Sequence, residues 1–324
     1  VVGAFSLEHI AQEQFAVAPV FKEDLLRAMR IVNGDLNLID EKFTYEKTLK
    51  KVQDHLWGKV IAVDIETHGI DNEVIDLISY SDGVRSCSLE WSEPVRKYTE
   101  ELFALPDRIF AIHNSPFDLP RLAENGVEIA EEVILRQVFD TMFAAVVIQP
   151  DLHKSLGRVA SLYLDCRPWK TSSRNMDSPW RQMAFADPLL YSAKDSFYTA
   201  WIAIQEMAIM KGLGTWDLFM GQGDHPGPGQ MATIPTLTEM TREGIPINKE
   251  YAEWWAPRLE RRQWWYEKLW AKHFPGINPH APKQLQKLFH KQWGLPLQRT
   301  RTEGISTDEL ALISLSAFVE MQRS

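Results

Sequence analysis

The sequence predicts an α/β fold, with one mixed sheet followed by a run of helices. Three observations carry that reading. Short apolar, strand-like stretches crowd into residues 58–90 and recur at 108–113. Helical spacing dominates from residue 117 onward, and a Gly/Pro-rich break at 221–229 precedes further helices.

Taken in order, Gly58-Lys59-Val60-Ile61-Ala62-Val63 runs apolar into Asp64, as a buried central strand does. Ile75 to Tyr80 and Val84 to Leu89 are two more strands, joined by the turn residues Ser81-Asp82-Gly83; the three imply an antiparallel meander. Arg108 to His113 is a further short strand. Phe117 to Asn125 has helical spacing and stops at Gly126, a C-terminal cap. Val133 to Phe139 reads as the last strand. Thr141 to Ile148 and Leu156 to Leu164 read as helices, and Pro188 to Lys211 as a long one with Asp187 as N-cap and Gly212 as its stop. Beyond the break, Met231 to Arg242 and Tyr251 to His273 are helical. The second carries Trp254, Trp255, Trp264, Trp265 and Trp270, which fit a core or an interface better than a base-stacking platform.

Composition sets limits. The 324 residues hold 35 Lys and Arg against 44 Asp and Glu, a net charge of −9, so any nucleic-acid contact needs a local basic patch. Cys87 and Cys166 lie far apart without metal-ligand spacing and read as free thiols in a reducing compartment. No apolar run approaches the ~18 residues of a membrane span, so no membrane partner is expected. The start, Val1-Val2-Gly3, has neither an initiator methionine nor the basic opening of a signal peptide, and the chain reads as a piece of a longer protein.

Three acidic motifs carry the chemistry. Asp64 and Glu66, at i and i+2 on a strand, project to one side beyond its apolar part and can share a cation; for a lone pair of this kind, two solvated charges at a strand end are the better account. In Asn114-Ser115-Pro116-Phe117-Asp118, Asn114 caps or precedes a helix and Asp118 can look back toward the strand ends. An N-cap with a first-turn aspartate is the plain alternative. Tyr191 and Asp195, at i and i+4 on a helix, suit water positioning and metal binding, with a buried Tyr–Asp hydrogen bond as the alternative.

In this order, over about 130 residues, the set resembles the three exonuclease motifs of the DEDD superfamily in its tyrosine-bearing branch. That resemblance implies an RNase H-like fold whose four carboxylates, Asp64, Glu66, Asp118 and Asp195, hold two divalent ions, Mg²⁺ or Mn²⁺. It implies that Tyr191 with Glu66 orients the attacking water, and that 5′ mononucleotides are released from a 3′ end. Ile234 to Met240 with Gly244-Ile245-Pro246-Ile247-Asn248 is similar to the exonuclease–thumb junction of family A DNA polymerases, the polymerase I group. Asn278 to Leu285 and Ser306 to Leu310 are similar to that family's thumb, and Lys154-Ser155-Leu156-Gly157, Ala160 to Leu164 and Trp169-Lys170 look like its phage members.

The similarity spans roughly residues 45 to 324. It implies a proofreading-type DNA exonuclease of replication, cytoplasmic in a bacterial or phage-infected cell and covalently linked to polymerase domains. The implied divisions are an N-terminal segment 1–40, an exonuclease domain 41–213, a linker 214–230 and the helical start of a thumb, 231–324, with palm and fingers absent. Such a chain should degrade DNA and not synthesise it. Val1 to His9 with the helix-like Phe21 to Ile31 has a short similarity to the tail of a uracil-DNA-glycosylase-type domain, but a plain strand and helix account for it better.

The expected partner is a single-stranded DNA 3′ end, held by stacking and phosphate contacts. Asn114, Phe117, Lys154, Arg158, Lys170 and Arg174 are the candidates for those contacts; Phe117 could equally be core, and each basic residue a solvated face. Lys283, Lys287, Lys291, Arg299 and Arg301 would let a thumb touch duplex DNA. His113 reads as a satisfied strand-end histidine. Two rival functions stand beside this one: an RNA-trimming enzyme of the same superfamily, and a non-catalytic DNA-binding or assembly module.

Overall fold

The computed structural model describes residues 18–53, 55, 57–68, 74–167, 169–170, 187–223, 229–297, 305–307 and 309–321. The segment 1–17, Arg174, Arg299 and Arg301 lie outside the described residues. Among those described, β1 (Tyr45–Glu46), β2 (Val60–Thr67), β3 (Ile75–Ser81), β4 (Ser86–Glu90), β5 (Ile109–Ile112) and β6 (Val138–Asp140) form one mixed sheet in the order β1-β4-β3-β2-β5-β6. The expected meander is β2-β3-β4, antiparallel throughout, while β5 and β6 extend the sheet in parallel beyond β2. Helices flank it, as in an RNase H-like exonuclease fold: α1 (Ala18–Asn33), α2 (Leu49–Gln53), α3 (Glu93–Phe103), α4 (Ser115–Glu124), α5 (Glu131–Gln137), α6 (Thr141–Ile148), α7 (Leu156–Tyr163), α8 (Pro188–Leu213), α9 (Trp216–Met220) and α10 (Thr233–Glu243).

Two compact units divide the chain, Val1–Gly244 and Ile245–Ser324. In the first, α8 packs across β2, β3 and β4. Its small buried residues Ser192, Ala193, Ser196, Ala200 and Ala203 let the helix axis approach the sheet closely. Ser79 Oγ donates to the Ser192 carbonyl at 2.8 Å and sets the height of the helix over β3. Asp187 caps it, accepting from Leu190 N at 3.0 Å. The helix ends two residues later than expected, because Gly214 (φ 69), and not Gly212, takes the left-handed turn that closes it.

One buried residue of α8 has no polar role in this packing. Glu206 is fully buried, and neither carboxyl oxygen has a hydrogen-bond partner among the described residues. Burial, then the nearby Asp140, pushes its pKa well up. A carboxyl so placed costs desolvation without return, so Glu206→Met should raise the urea midpoint, by about 1–2 kcal/mol in stability. A lowered midpoint would show that the carboxyl holds the helix in place.

Elsewhere the chain departs from expectation in two places. Residues 133–139 are not one strand: α5 takes Glu131–Gln137 and only Val138–Asp140 joins the sheet. Glu131 and Glu132 sit in the first turn, where the helix dipole favours them, and a short β-branched run suits either state. Helix α3 carries a readable signal that the strand-rich reading passed over. Val95, Tyr98, Thr99, Leu102 and Phe103 are its buried face, at helical spacing behind a Pro in the first turn. The tryptophan-rich helix lies in the second unit. There α11 (Lys249–His273) starts at Asn248, whose side chain accepts from Tyr251 N at 2.9 Å, and it has no buried residue. Of the two alternatives for its tryptophans, core or interface, they do not take the first: Trp254, Trp255, Trp264 and Trp265 are exposed, and Trp270 packs beside a small cluster of Leu285, Leu288, Phe289 and Leu315. These come from α12 (Pro282–Gln286), its π-helical continuation Lys287–Gln292, and α13 (Glu309–Met321).

Candidate metal centre

Strand β2 pairs with β5 only over Val60–Ala62, but its pairing with β3 runs on to Thr67. Asp64 and Glu66 were expected past the strand's end. They lie inside it, opposite Ser79 and Leu77, because β3 keeps pairing after β5 has diverged. Among the described residues no strand covers that stretch of β2, and its amides need other acceptors. Asp118, in the first turn of α4, supplies one: its buried carboxyl accepts from Ile65 N–H.

The start of α4 is held from outside. Asn114 occupies the N-cap position in a left-handed conformation (φ 76), yet its side chain makes no cap hydrogen bond. Asp140 does that work. Its carboxyl accepts from Asn114 N (3.3 Å), Ser115 N (2.5 Å) and Ser115 Oγ (2.7 Å). It also caps α6, accepting from Met142 N (2.8 Å) and Phe143 N (3.0 Å).

Helix α8 brings the remaining acid. One carboxyl oxygen from each of Asp64, Glu66 and Asp195 lies within 4.8 Å of the other two. Trp169 Nε1 donates to Asp195 Oδ1 at 2.6 Å while its ring stacks on Tyr198 at 3.7 Å between centroids. The Lys170 ammonium is ion-paired with Asp195 Oδ2 and lies 5.2 Å from the Tyr191 ring centroid. Asp64 Oδ2 is buried with no hydrogen-bond partner among the described residues. Three convergent carboxylates with one orphaned oxygen fit a hard divalent cation such as Mg²⁺ or Mn²⁺.

The electrostatics agree with that fit. Burial, then repulsion from Asp195 and Glu66, lifts the Asp64 pKa well above the carboxylate range, with Lys170 opposing. Burial also raises Asp118 and Asp195, the latter against Lys170 and Trp169. Glu66 is pushed up to about 7 by burial and by Asp195, again against Lys170. Burial and Asp195 keep the Tyr191 phenol protonated. Burial works against the Lys170 charge, but Asp195, Tyr191 and Asp64 outweigh it and hold its pKa above the usual lysine value.

A pH dependence follows. Because Glu66 titrates near 7 when folded and at ~4.3 when unfolded, the folded chain holds an extra proton between those values. Stability from this group is therefore lost as pH rises through that window. His113 runs oppositely: burial, then Lys170, lowers it to about 4, so it favours folding as pH rises toward ~6.5. The variant separates the two. Metal-free Glu66→Gln should exceed the parent in stability at pH 8 by about 1–3 kcal/mol and show no gain near pH 4, read from melting curves in chelator. An equal shift at both pH values would rule out Glu66 as the titrating source.

The other candidates fall at varied distances from this centre. Phe117 packs partly on the main core beneath the Arg121 guanidinium, 3.6 Å from the ring centroid. Lys154 folds its ammonium onto the Gln149, Pro150 and Leu152 carbonyls of its own loop. Arg158 is exposed on α7. His113 is satisfied, with Nε2 2.9 Å from the Lys154 carbonyl and Nδ1 2.8 Å from Thr141 Oγ1. Lys283, Lys287 and Lys291 are exposed in the second unit. Sequence reasoning missed Asp140 as an organising residue, although an aspartate directly before an apolar helix is a readable N-cap signal. It also missed the partnership of Trp169 and Lys170 with Asp195, for which no local signal exists.

A family model described as 3′-5′ exonuclease matches residues 36–205. Among solved structures, the chain resembles the POL domain of Pol1 from M. smegmatis in complex with DNA primer-template and dNTP, at 18% identity and TM-score 0.54. That likeness covers 84% of this chain and 45% of the other, so the chain spans less than half of the polymerase structure. It is also similar to Brucella melitensis NrnC with bound Mg²⁺ (18% identity, TM-score 0.45, covering 62% of this chain and 92% of that one). Escherichia coli RNase D, an exoribonuclease involved in structured RNA processing, is a third (14% identity, TM-score 0.36, 63% and 52%). No curated protein matches the chain by sequence.

Proposed function

We propose, because the chain belongs to the 3′-5′ exonuclease family over more than half its length, that it removes nucleotides from the 3′ end of single-stranded DNA by two-metal-ion hydrolysis. The observation that carries the reading is the convergence of Asp64, Glu66 and Asp195 from a strand and a distant helix, with one buried oxygen left unpaired. Asp64, Glu66 and Asp195 would hold one divalent ion; Asp64 with Asp118 would help to hold a second. When bound, the ions supply charge neutralisation on the phosphate and a water made nucleophilic at neutral pH. Glu66 and Tyr191 orient that water. Its attack on phosphorus breaks the bond to the 3′ oxygen, which leaves protonated on the shortened strand as a 5′ mononucleotide departs.

The choice of DNA rests on the thumb-like segments at 234–248, 278–285 and 306–310, and with it a proofreading role beside a family A polymerase. Digestion of matched DNA and RNA strands, labelled at either end, with Mg²⁺ or Mn²⁺ and with chelator, tests the reading. The expected result is a metal-dependent ladder from the 3′ end of DNA with 5′ mononucleotide product. Faster loss of RNA would favour the exoribonuclease alternative, and no metal-dependent cleavage at high protein would reject catalysis.

A further inference from the structure

The carboxylate cluster holds a cation of the protein's own. The Lys170 ammonium is paired with Asp195 Oδ2, beside the Tyr191 ring, and it also acts on Asp64 and Glu66 by charge. Its backbone cannot retreat far, because α7 runs against it: a Cβ added at Gly157 would come within 3.3 Å of Lys170 Cβ. The side chain is freer. Lys170 keeps 29% of its side chain exposed, against 1% for Asp195. Asp195 is closed in, whereas part of the Lys170 side chain reaches solvent, while burial works against the charge at its tip.

We propose that Lys170 is a tethered counter-ion that takes the first divalent cation's place among Asp64, Glu66 and Asp195, and must swing aside for that ion to enter. This rests on the reading of those acids as metal ligands. A positive charge within the ligand set repels an incoming ion and must be displaced, so the lysine lowers metal affinity and keeps the buried acids neutralised until an ion arrives. Trp169, fixed by its stack on Tyr198 and its bond to Asp195, anchors the tether.

Titration of free Mn²⁺ by electron paramagnetic resonance, on the full chain without DNA, reads this directly. Lys170→Met should bind Mn²⁺ more tightly than the parent, on the order of tenfold. Lys170→Gln, which keeps a hydrogen bond to Asp195 without the charge, should do the same and serves if the methionine variant does not fold. Unchanged or weaker affinity in Lys170→Gln, with the parent binding normally, overturns the counter-ion role and leaves the ligand assignment standing. If parent and variants all fail to bind Mn²⁺ at millimolar concentration, the ligand assignment falls and this inference with it.

Discussion

Asp195→Asn should reduce 3′-terminal nucleotide release by at least about a thousandfold, equivalent to about 4 kcal/mol of barrier. The amide keeps the shape of the side chain, and its oxygen can still accept from Trp169 Nε1, so the stack of Trp169 on Tyr198 survives. What it loses is the negative charge that a hard divalent ion requires. Asparagine is the better probe than alanine here. Asp195 is 1% exposed and carries bonds on both oxygens, so truncation would leave the Trp169 donor and the Lys170 charge unpaired in a closed space. Single-turnover release from a labelled strand at saturating Mn²⁺ measures the effect. A rate within tenfold of the parent would remove Asp195 from the proposed ligand set, and the two-metal proposal would lose its third anchor.

A second large effect is expected far from the reacting atoms. Asp140→Ala should cost roughly 3–5 kcal/mol, since it strips the acceptor from four backbone amides and one hydroxyl at the starts of α4 and α6. Those amides are buried or partly buried and have little water to turn to. The loss also reaches the site, because the first turn of α4 carries Asp118 onto the Ile65 amide. Urea unfolding should show the lowered midpoint, and the remaining folded protein should cleave more slowly. Asp140→Asn should recover only part of the stability, since its NH₂ would face donors. A loss below about 1 kcal/mol would mean that the capping bonds are replaced by solvent.

Much of this centre was legible along the chain. The i, i+2 spacing of Asp64 and Glu66 on an apolar strand put both on one side, and the i, i+4 spacing of Tyr191 and Asp195 put both on one helical face. The cap at Asp187, the stop at Gly126 and the β2-β3-β4 meander are set by neighbouring residues, and each formed as read. Where local signals compete, the reading slipped. Residues 131–137 have β-branched bulk and also an acidic first turn, and the helix formed there because the sheet accepted only Val138–Asp140. For the tryptophans of α11 the sequence left core and interface open, and their exposure excludes only the core, because residue size says nothing about which surface a side chain meets.

Spacing along the chain identified which acids could cooperate and which elements would carry them. It could not reveal that β5 turns away early enough to free the edge of β2, that Asp118 would satisfy an amide on that edge, or that Lys170 would settle on Asp195. The reason is range. Periodicity and capping act over a turn or a strand, whereas these contacts join segments 25 or more residues apart: Asp140 meets Ser115 across 25 and Trp169 meets Asp195 across 26. Their partners are selected by sheet order, by how near α8 can lie to β3, and by which buried polar groups remain unpaired once the core has closed.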